Sequence, residues 1–336
     1  MSFKILLLTI FITPAIFASE MPLYNPADAK EKLGYDPKIT IVRETDGTVI
    51  NTGRKTICLH GFGDNGLGPI RAKQADGSAR LPGDIVTFNF PDAVTERGMD
   101  TTKSSLGQWP DMQAALYVLN TMHDCGEKSI GINGHSRGGA TAVNMIAALA
   151  NQTDEYKEKF AALEIDAVKK AALLQMLQTG HVVLECPLTD VRSVIKHQVA
   201  KSSTGSSLTS WFGPWLASSS IRASAASVDY CASAVVRKYR PWQEQALESA
   251  TKWQDAKIPT IVHFQKDGYR GDEVLGNEHD EEFMARLSAS NGATHTRVHT
   301  GYDGGHNSSF ASFAHPRNEF LSRHGAAYKP LETSGK

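Results

Sequence analysis

The segment Gly134-His135-Ser136-Arg137-Gly138-Gly139 constrains the fold of this chain more than any other. It follows a short run, Ser129 to Asn133, that reads as a buried strand. It opens a run, Gly138 to Ala150, that reads as a helix. A serine flanked by glycines at such a junction needs a very tight turn, in which neighbours bearing a Cβ would clash. The turn lifts Ser136 clear of the strand and sets it at a helix N-terminus, where backbone N–H groups favour developing negative charge.

Three further features take their places around that serine. Upstream, Lys55 to Leu59 reads as a strand running directly into His60-Gly61-Phe62-Gly63-Asp64-Asn65-Gly66. Downstream, Pro259 to Phe264 reads as a strand ending close to Asp267. Thr294 to Thr300 reads as another, leading into Gly301-Tyr302-Asp303-Gly304-Gly305-His306. The chain order is therefore serine, acid, histidine. A serine hydroxyl is a poor nucleophile at neutral pH. It needs a base within hydrogen-bond reach, and the base needs an acid to fix its tautomer.

His306 is the expected base among the 12 histidines. Asp267, just past its strand, is the first candidate for the acid. Asp272 is the second, because Asp272-Glu273-Val274-Leu275 resembles the acid-bearing turn of many serine hydrolases, and Asp190 is the third. The backbone N–H groups of Phe62 and Arg137 are the expected oxyanion donors. The Arg137 side chain is expected to point outward or onto Asp64.

These segments resemble the α/β-hydrolase superfamily over roughly Lys38 to Gly325. Within it, Leu59-His60-Gly61-Phe62-Gly63-Asp64 is similar to the oxyanion segment of carboxylesterases and acyl-protein thioesterases. Val182-Val183-Leu184-Glu185-Cys186-Pro187-Leu188 is loosely similar to the sixth strand of prolyl-oligopeptidase-like hydrolases. The resemblance implies an α/β-hydrolase fold: a mostly parallel central sheet, helices on both faces and a small cap insertion. It implies hydrolysis of carboxylic esters through an acyl-enzyme, with His60 supporting the oxyanion turn. No metal or cofactor is implied. The alternatives are a prolyl-oligopeptidase-type peptidase and a non-catalytic hydrolase-like binding protein.

At 336 residues the chain has room for one such domain. Its formal net charge of −1 offers no electrostatic case for nucleic acid or an anionic membrane. A small-molecule or acyl ester is the expected partner. Lys4 followed by the apolar run Ile5 to Phe17 reads as a secretory signal, too short for a comfortable membrane span. The expected organisation is a signal peptide over 1–18 and a hydrolase domain over 19–336, with a cap insertion over 197–250. The product would be periplasmic or secreted, without stable membrane insertion after cleavage. Export permits disulfides among Cys58, Cys125, Cys186 and Cys231, and three pairings are possible. Between Lys201 and Ser227 a serine-rich stretch carries Trp211, Phe212, Trp215 and Leu216, which reads equally as a lid or as a loop tucked onto the core. Tyr156 to Gln178 and Pro241 to Trp253 read as helices, and residues 20 to 37 as irregular.

Overall fold

A computed structural model describes residues 16–20, 23–44, 55–66, 84–93, 105–151, 154–191, 193–194, 197, 245–265, 272, 274–276, 279–301, 306 and 309–324. Asp267, the cluster from Trp211 to Leu216 and Cys231 lie outside the described residues.

The described strands are β1 (Ile16–Glu20), β2 (Thr40–Glu44), β3 (Lys55–Leu59), β4 (Asp84–Thr87), β5 (Ile130–His135), β6 (His181–Glu185), β7 (Thr260–Gln265) and β8 (Thr296–Gly301). They form one sheet in the order β1-β2-β4-β3-β5-β6-β7-β8. The pairs β1–β2 and β2–β4 are antiparallel, and every pair from β4–β3 to β7–β8 is parallel. From β3 the chain moves to β4 on one side, then crosses back to β5 on the other. The sheet therefore has a switch point between the ends of β3 and β5, where the two following connections part and leave a crevice. Both the His60 turn and Ser136 open from that point.

The longer helices are α1 (Pro26–Leu33), α2 (Trp109–Asp124), α3 (Arg137–Ala150), α4 (Lys157–Ala161), α5 (Ala167–Gln178), α6 (Ala246–Ser249), α7 (Asp280–Asn291) and α8 (Ser309–Arg323). Period-two alternation along the strands divides the core in two. Ile57 and Leu59, Val86, Ile130 and Ile132, Val182 and Leu184, Val262 and Phe264 face one cluster, covered by α1, α2, α3, α5, α6 and α7. Cys58, Ile85, Val183 and Ile261 alternate with them and meet Phe313, Phe320 and Leu321 of α8 on the other face. Side chains of this size each contribute roughly 1.5–3 kcal/mol on full burial.

Several elements differ from the sequence expectation, each for a local reason. The span Tyr156 to Gln178 is two helices, not one. Glu164 takes φ 57, a left-handed conformation that no helix interior accepts. Asp166 then caps the second helix, accepting a bond from Lys169 N at 2.8 Å. The stretch read as irregular holds α1, with Asn25 capping its start, Pro26 in its first turn and Gly34 at φ 78 closing it. Of the expected cap insertion, the described end folds as α6, whose Ala246 and Leu247 join the main core. Residues 16–18 of β1 fall inside the segment expected to be a signal; β1 is an edge strand, and the other seven strands form a continuous sheet without it. Among the described residues, no helix is long and apolar enough to cross a membrane.

Candidate active site

Ser136 sits between β5 and α3 at φ 53 and ψ −115, a strained conformation for a residue with a Cβ. Its neighbours make the turn possible. A Cβ on Gly138 would stand 2.1 Å from the Leu59 carbonyl oxygen, and one on Gly134 would stand 2.6 Å from the Gly138 carbonyl oxygen. Only glycine allows helix α3 to approach β3 and β5 this closely. The elbow is tied to the end of β6: Ser136 N donates to Glu185 O at 2.9 Å, and Leu188 N donates to Ser136 O at 3.1 Å.

The turn after β3 lies beside the serine. A Cβ on Gly61 would be 3.1 Å from His135 Nδ1 and 3.7 Å from Ser136 Cβ. His60 is fully buried beneath this turn. Phe90 N donates to its Nε2 at 3.1 Å, so Nε2 is the acceptor and Nδ1 carries the proton toward Gly61 O at 2.9 Å. Burial, with the Arg137 charge beside it, pushes the imidazole well below its ordinary value. His60 is thus a neutral strut for the turn.

His306 is buried, and its Nδ1 lies 2.8 Å from Asp272 Oδ2. Oδ1 of the same carboxylate accepts bonds from Val274 N at 3.0 Å and Leu275 N at 2.7 Å. Burial pushes the Asp272 carboxyl up, but the His306 ring and the two amides outweigh it and hold it below the usual carboxylate range. Asp267 was the first sequence candidate for this place; it lies outside the described residues, and the carboxylate on His306 belongs to Asp272. Asp272 N donates to Gln265 O at 3.3 Å, which returns the chain to the end of β7. Residues 266–271 therefore separate Asp272 from its strand in sequence but not in space. Asp190, the third candidate, instead lies 3.8 Å from His279.

The Arg137 side chain is where the sequence expectation fails most clearly. It is 1% exposed and points inward, away from solvent. Its Nη1 donates to Asp92 Oδ1 at 2.5 Å and to Ser105 O at 3.3 Å, and its Nε is 3.9 Å from Asp111 Oδ2. The guanidinium lies 4.6 Å from the Phe90 ring centre and 5.6 Å from that of Phe62. Burial raises the Asp111 carboxyl to about 6 against the lowering effect of Arg137.

Two more residues at the site escaped sequence reasoning. The His135 ring packs tilted against that of His306 with ring centres 4.8 Å apart, and its Nε2 lies 3.3 Å from His306 O. Cys186 takes φ 44 just past β6. Its Sγ, a carboxylate oxygen of Asp272 and a ring nitrogen of His306 lie within 4.8 Å of one another. Thiol, carboxylate and imidazole are donors a zinc-like ion accepts, but the Asp272–His306 hydrogen bond already engages two of them. Cys58 and Cys186 are buried and Cys125 is part-exposed. The signal that could have found Cys186 is its place at the end of a parallel strand next to the serine strand.

No protein-family model matches the chain, and no curated protein matches it in sequence. Its backbone does match solved structures. Brefeldin A esterase, a bacterial homologue of human hormone-sensitive lipase, aligns with a TM-score of 0.52 at 15% identity, over 97% of this chain and 81% of that one. A Lactobacillus plantarum protein assigned to the carboxylesterases aligns with a TM-score of 0.52 at 14% identity, over 93% of this chain and 99% of that one. At such identities the likeness speaks to the fold alone. With the parallel sheet, the serine elbow at its switch point and helices on both faces, it establishes that this chain has the α/β-hydrolase fold.

Proposed function

We propose that the protein is an exported serine hydrolase cleaving carboxylic esters, with Ser136 as nucleophile, His306 as base and Asp272 as acid. The observation that carries this reading is the buried Asp272–His306 pair at 2.8 Å, on the same sheet end as the strained Ser136 elbow. With Nδ1–H committed to Asp272, His306 keeps Nε2 as its acceptor.

In the proposed reaction, Ser136 Oγ attacks the ester carbonyl carbon while its proton passes to His306 Nε2. The carbonyl oxygen becomes an oxyanion held by the N–H groups of Phe62 and Arg137. The tetrahedral adduct collapses, the bond to the alcohol oxygen breaks, and His306 returns its proton to that oxygen. Water then gives a proton to His306 and attacks the acyl-enzyme. Collapse of the second adduct releases the acid and restores Ser136. Asp272 stabilises the imidazolium through both halves and is never protonated. Export rests on the Lys4 and Ile5–Phe17 pattern, and cleavage after Ala18 would give a mature protein beginning at Ser19.

The test is labelling with a fluorophosphonate, followed by turnover of p-nitrophenyl acyl esters against dipeptide amides. Labelling at Ser136 that vanishes in Ser136→Ala, with ester turnover exceeding amide turnover, supports the reading. No labelling of folded protein would reject it, and a preference for the amides would make it a peptidase.

A further inference from the structure

We infer that the buried Arg137 side chain is a positioning residue for the oxyanion hole, acting through the two turns that carry the hole's donors. The inference rests on the serine-hydrolase reading above and adds a role for a group that the reaction steps do not use.

The argument begins with what the side chain joins. Arg137 contributes one proposed donor through its own N–H, and Phe62 contributes the other. These two amides open from different strands, β5 and β3. Beyond the sheet ends nothing in the strand pairing fixes their separation, since the last β3–β5 register pair is Leu59 with Gly134. The guanidinium spans that gap. It lies 5.6 Å from the Phe62 ring centre and 3.4 Å from His60 Nδ1, so it packs on both sides of the His-Gly turn. The His60 contact is not a hydrogen bond, because that nitrogen already carries the proton given to Gly61 O. Its effect is to wedge the imidazole against Gly61 and Phe90.

The other half of the clamp comes from behind. Asp92, past β4, takes Nη1 at 2.5 Å; Asp111, in the first turn of α2, stands 3.9 Å from Nε; Ser105 O takes Nη1 at 3.3 Å. Asp111 in turn accepts from Gly107 N at 2.9 Å. All three charged side chains are at most 1% exposed. A charged group so placed is a poor device for stability, since desolvation offsets much of its attraction and an apolar trio of equal volume often does as well. What it does supply is direction. A planar guanidinium with fixed partners on three sides has one orientation, and a Leu or Met in its place would have several. Donor placement matters to rate far more than to ground-state binding, because misplacement of about 1 Å can cost on the order of a hundredfold.

The experiment compares wild type with Arg137→Lys, Arg137→Met and Asp92→Asn, measuring kcat, KM and the inhibition constant of a trifluoromethyl ketone analogue of the ester. That analogue forms a tetrahedral oxyanion on the serine. The expected result is a loss of kcat of roughly tenfold to a hundredfold in Arg137→Met, with KM changed less than about threefold. Ketone affinity should fall by the same factor as kcat/KM, and Arg137→Lys should recover part of it. Asp92→Asn keeps the shape of its side chain and supplies the same readout if Arg137→Met does not fold. If folded variants keep wild-type kcat, or lose kcat with ketone affinity unchanged, the inference is overturned. If wild type shows no turnover that Ser136→Ala removes, the hydrolase reading itself fails, and that outcome is recognised before any Arg137 variant is made.

Discussion

The two faces of the sheet are built on different principles. On the face carrying α2 and α3, the strands contribute Ile57, Leu59, Ile130, Ile132, Val182, Leu184, Val262 and Phe264, all buried and all apolar. On the α8 face, the same strands mix the apolar Cys58, Val183 and Ile261 with the buried polar Thr56, Asn133, His135, His181, Glu185, His263 and Gln265. There Arg317 of α8 meets Glu185 at 3.5 Å, and His263 Nδ1 lies 2.9 Å from His299 Nδ1. Among the described residues, each face holds one buried arginine with acidic company, yet the surroundings differ. Arg137 sits against the turns of the site, whereas Arg317 reaches from α8 to the side chain of Glu185, the last residue of β6. The comparison teaches that burying charge is a local decision, made where geometry at a strand end has to be held.

The largest expected effects separate chemistry from packing. Ser136→Ala and His306→Ala should each lower kcat by about 10³-fold or more while leaving the far face untouched. Thermal melts within a few degrees of wild type would confirm that the loss is chemical; near-normal turnover in either variant would remove it from the mechanism. Asp272→Asn should follow with a loss on the order of 10⁴, because an amide favours the wrong imidazole tautomer. Asp267→Asn should change the rate less than about tenfold. If steady-state kinetics reverse that order, the carboxylate seen on His306 is not the working acid.

How far the sequence carried this picture follows the same division. Strand β3 was legible to the residue, because a short apolar run bounded by turn residues has few other uses. The Ser136 elbow and His306 were legible because their chemistry needs particular neighbours at short range. Helix α7 was not, since only Phe283 and Leu287 give it an apolar stripe, and its C-terminal end is held by Asn291 bonding Ile258 at 2.8 and 2.9 Å. The first choice of acid went to the nearer aspartate because residues 266–271 break the strand-to-acid spacing. The Arg137 cluster was out of reach altogether. Asp92 and Asp111 are 45 and 26 residues away from it along the chain, and no local pattern joins them. Long-range polar contacts leave no period in a sequence.

On the α8 face the same substitutions should move stability and spare the rate. Arg317→Met leaves Glu185 buried beside an apolar group, and Glu185→Gln removes the carboxylate that faces the guanidinium. Breaking one side of such a pair typically costs about 3–5 kcal/mol. Denaturant titration should show that loss, with kcat per folded molecule within about threefold of wild type. A large fall in kcat for either variant would mean that the far face also holds the site, and the contrast drawn here between the two arginines would not survive.

The smallest effect is the most discriminating, because His263 and Asp111, on opposite faces, should respond to acid in opposite directions. Burial pushes the His263 imidazole from 6.5 down to about 4. Between those values the unfolded chain binds a proton that the folded chain refuses. That contribution to stability is complete above pH 6.5 and is lost as pH falls toward 4, a total of about 3 kcal/mol. The close Nδ1–Nδ1 contact with His299 reinforces it, since one ring must accept for the pair to bond. Asp111 runs the other way. Its carboxyl is raised from 3.8 to about 6 by burial. The folded chain therefore binds the extra proton, and stability rises as pH falls through the same window by a similar amount, about 3 kcal/mol. Neutral buried His60 opposes it on its own face. Melting curves at pH 7, 6, 5 and 4 should then diverge by variant. His263→Gln should flatten the acid loss of stability, and Asp111→Asn should steepen it. If both variants shift the curve in the same direction, the charges on the two faces are not acting separately, and the buried carboxylate near Arg137 is ionised throughout.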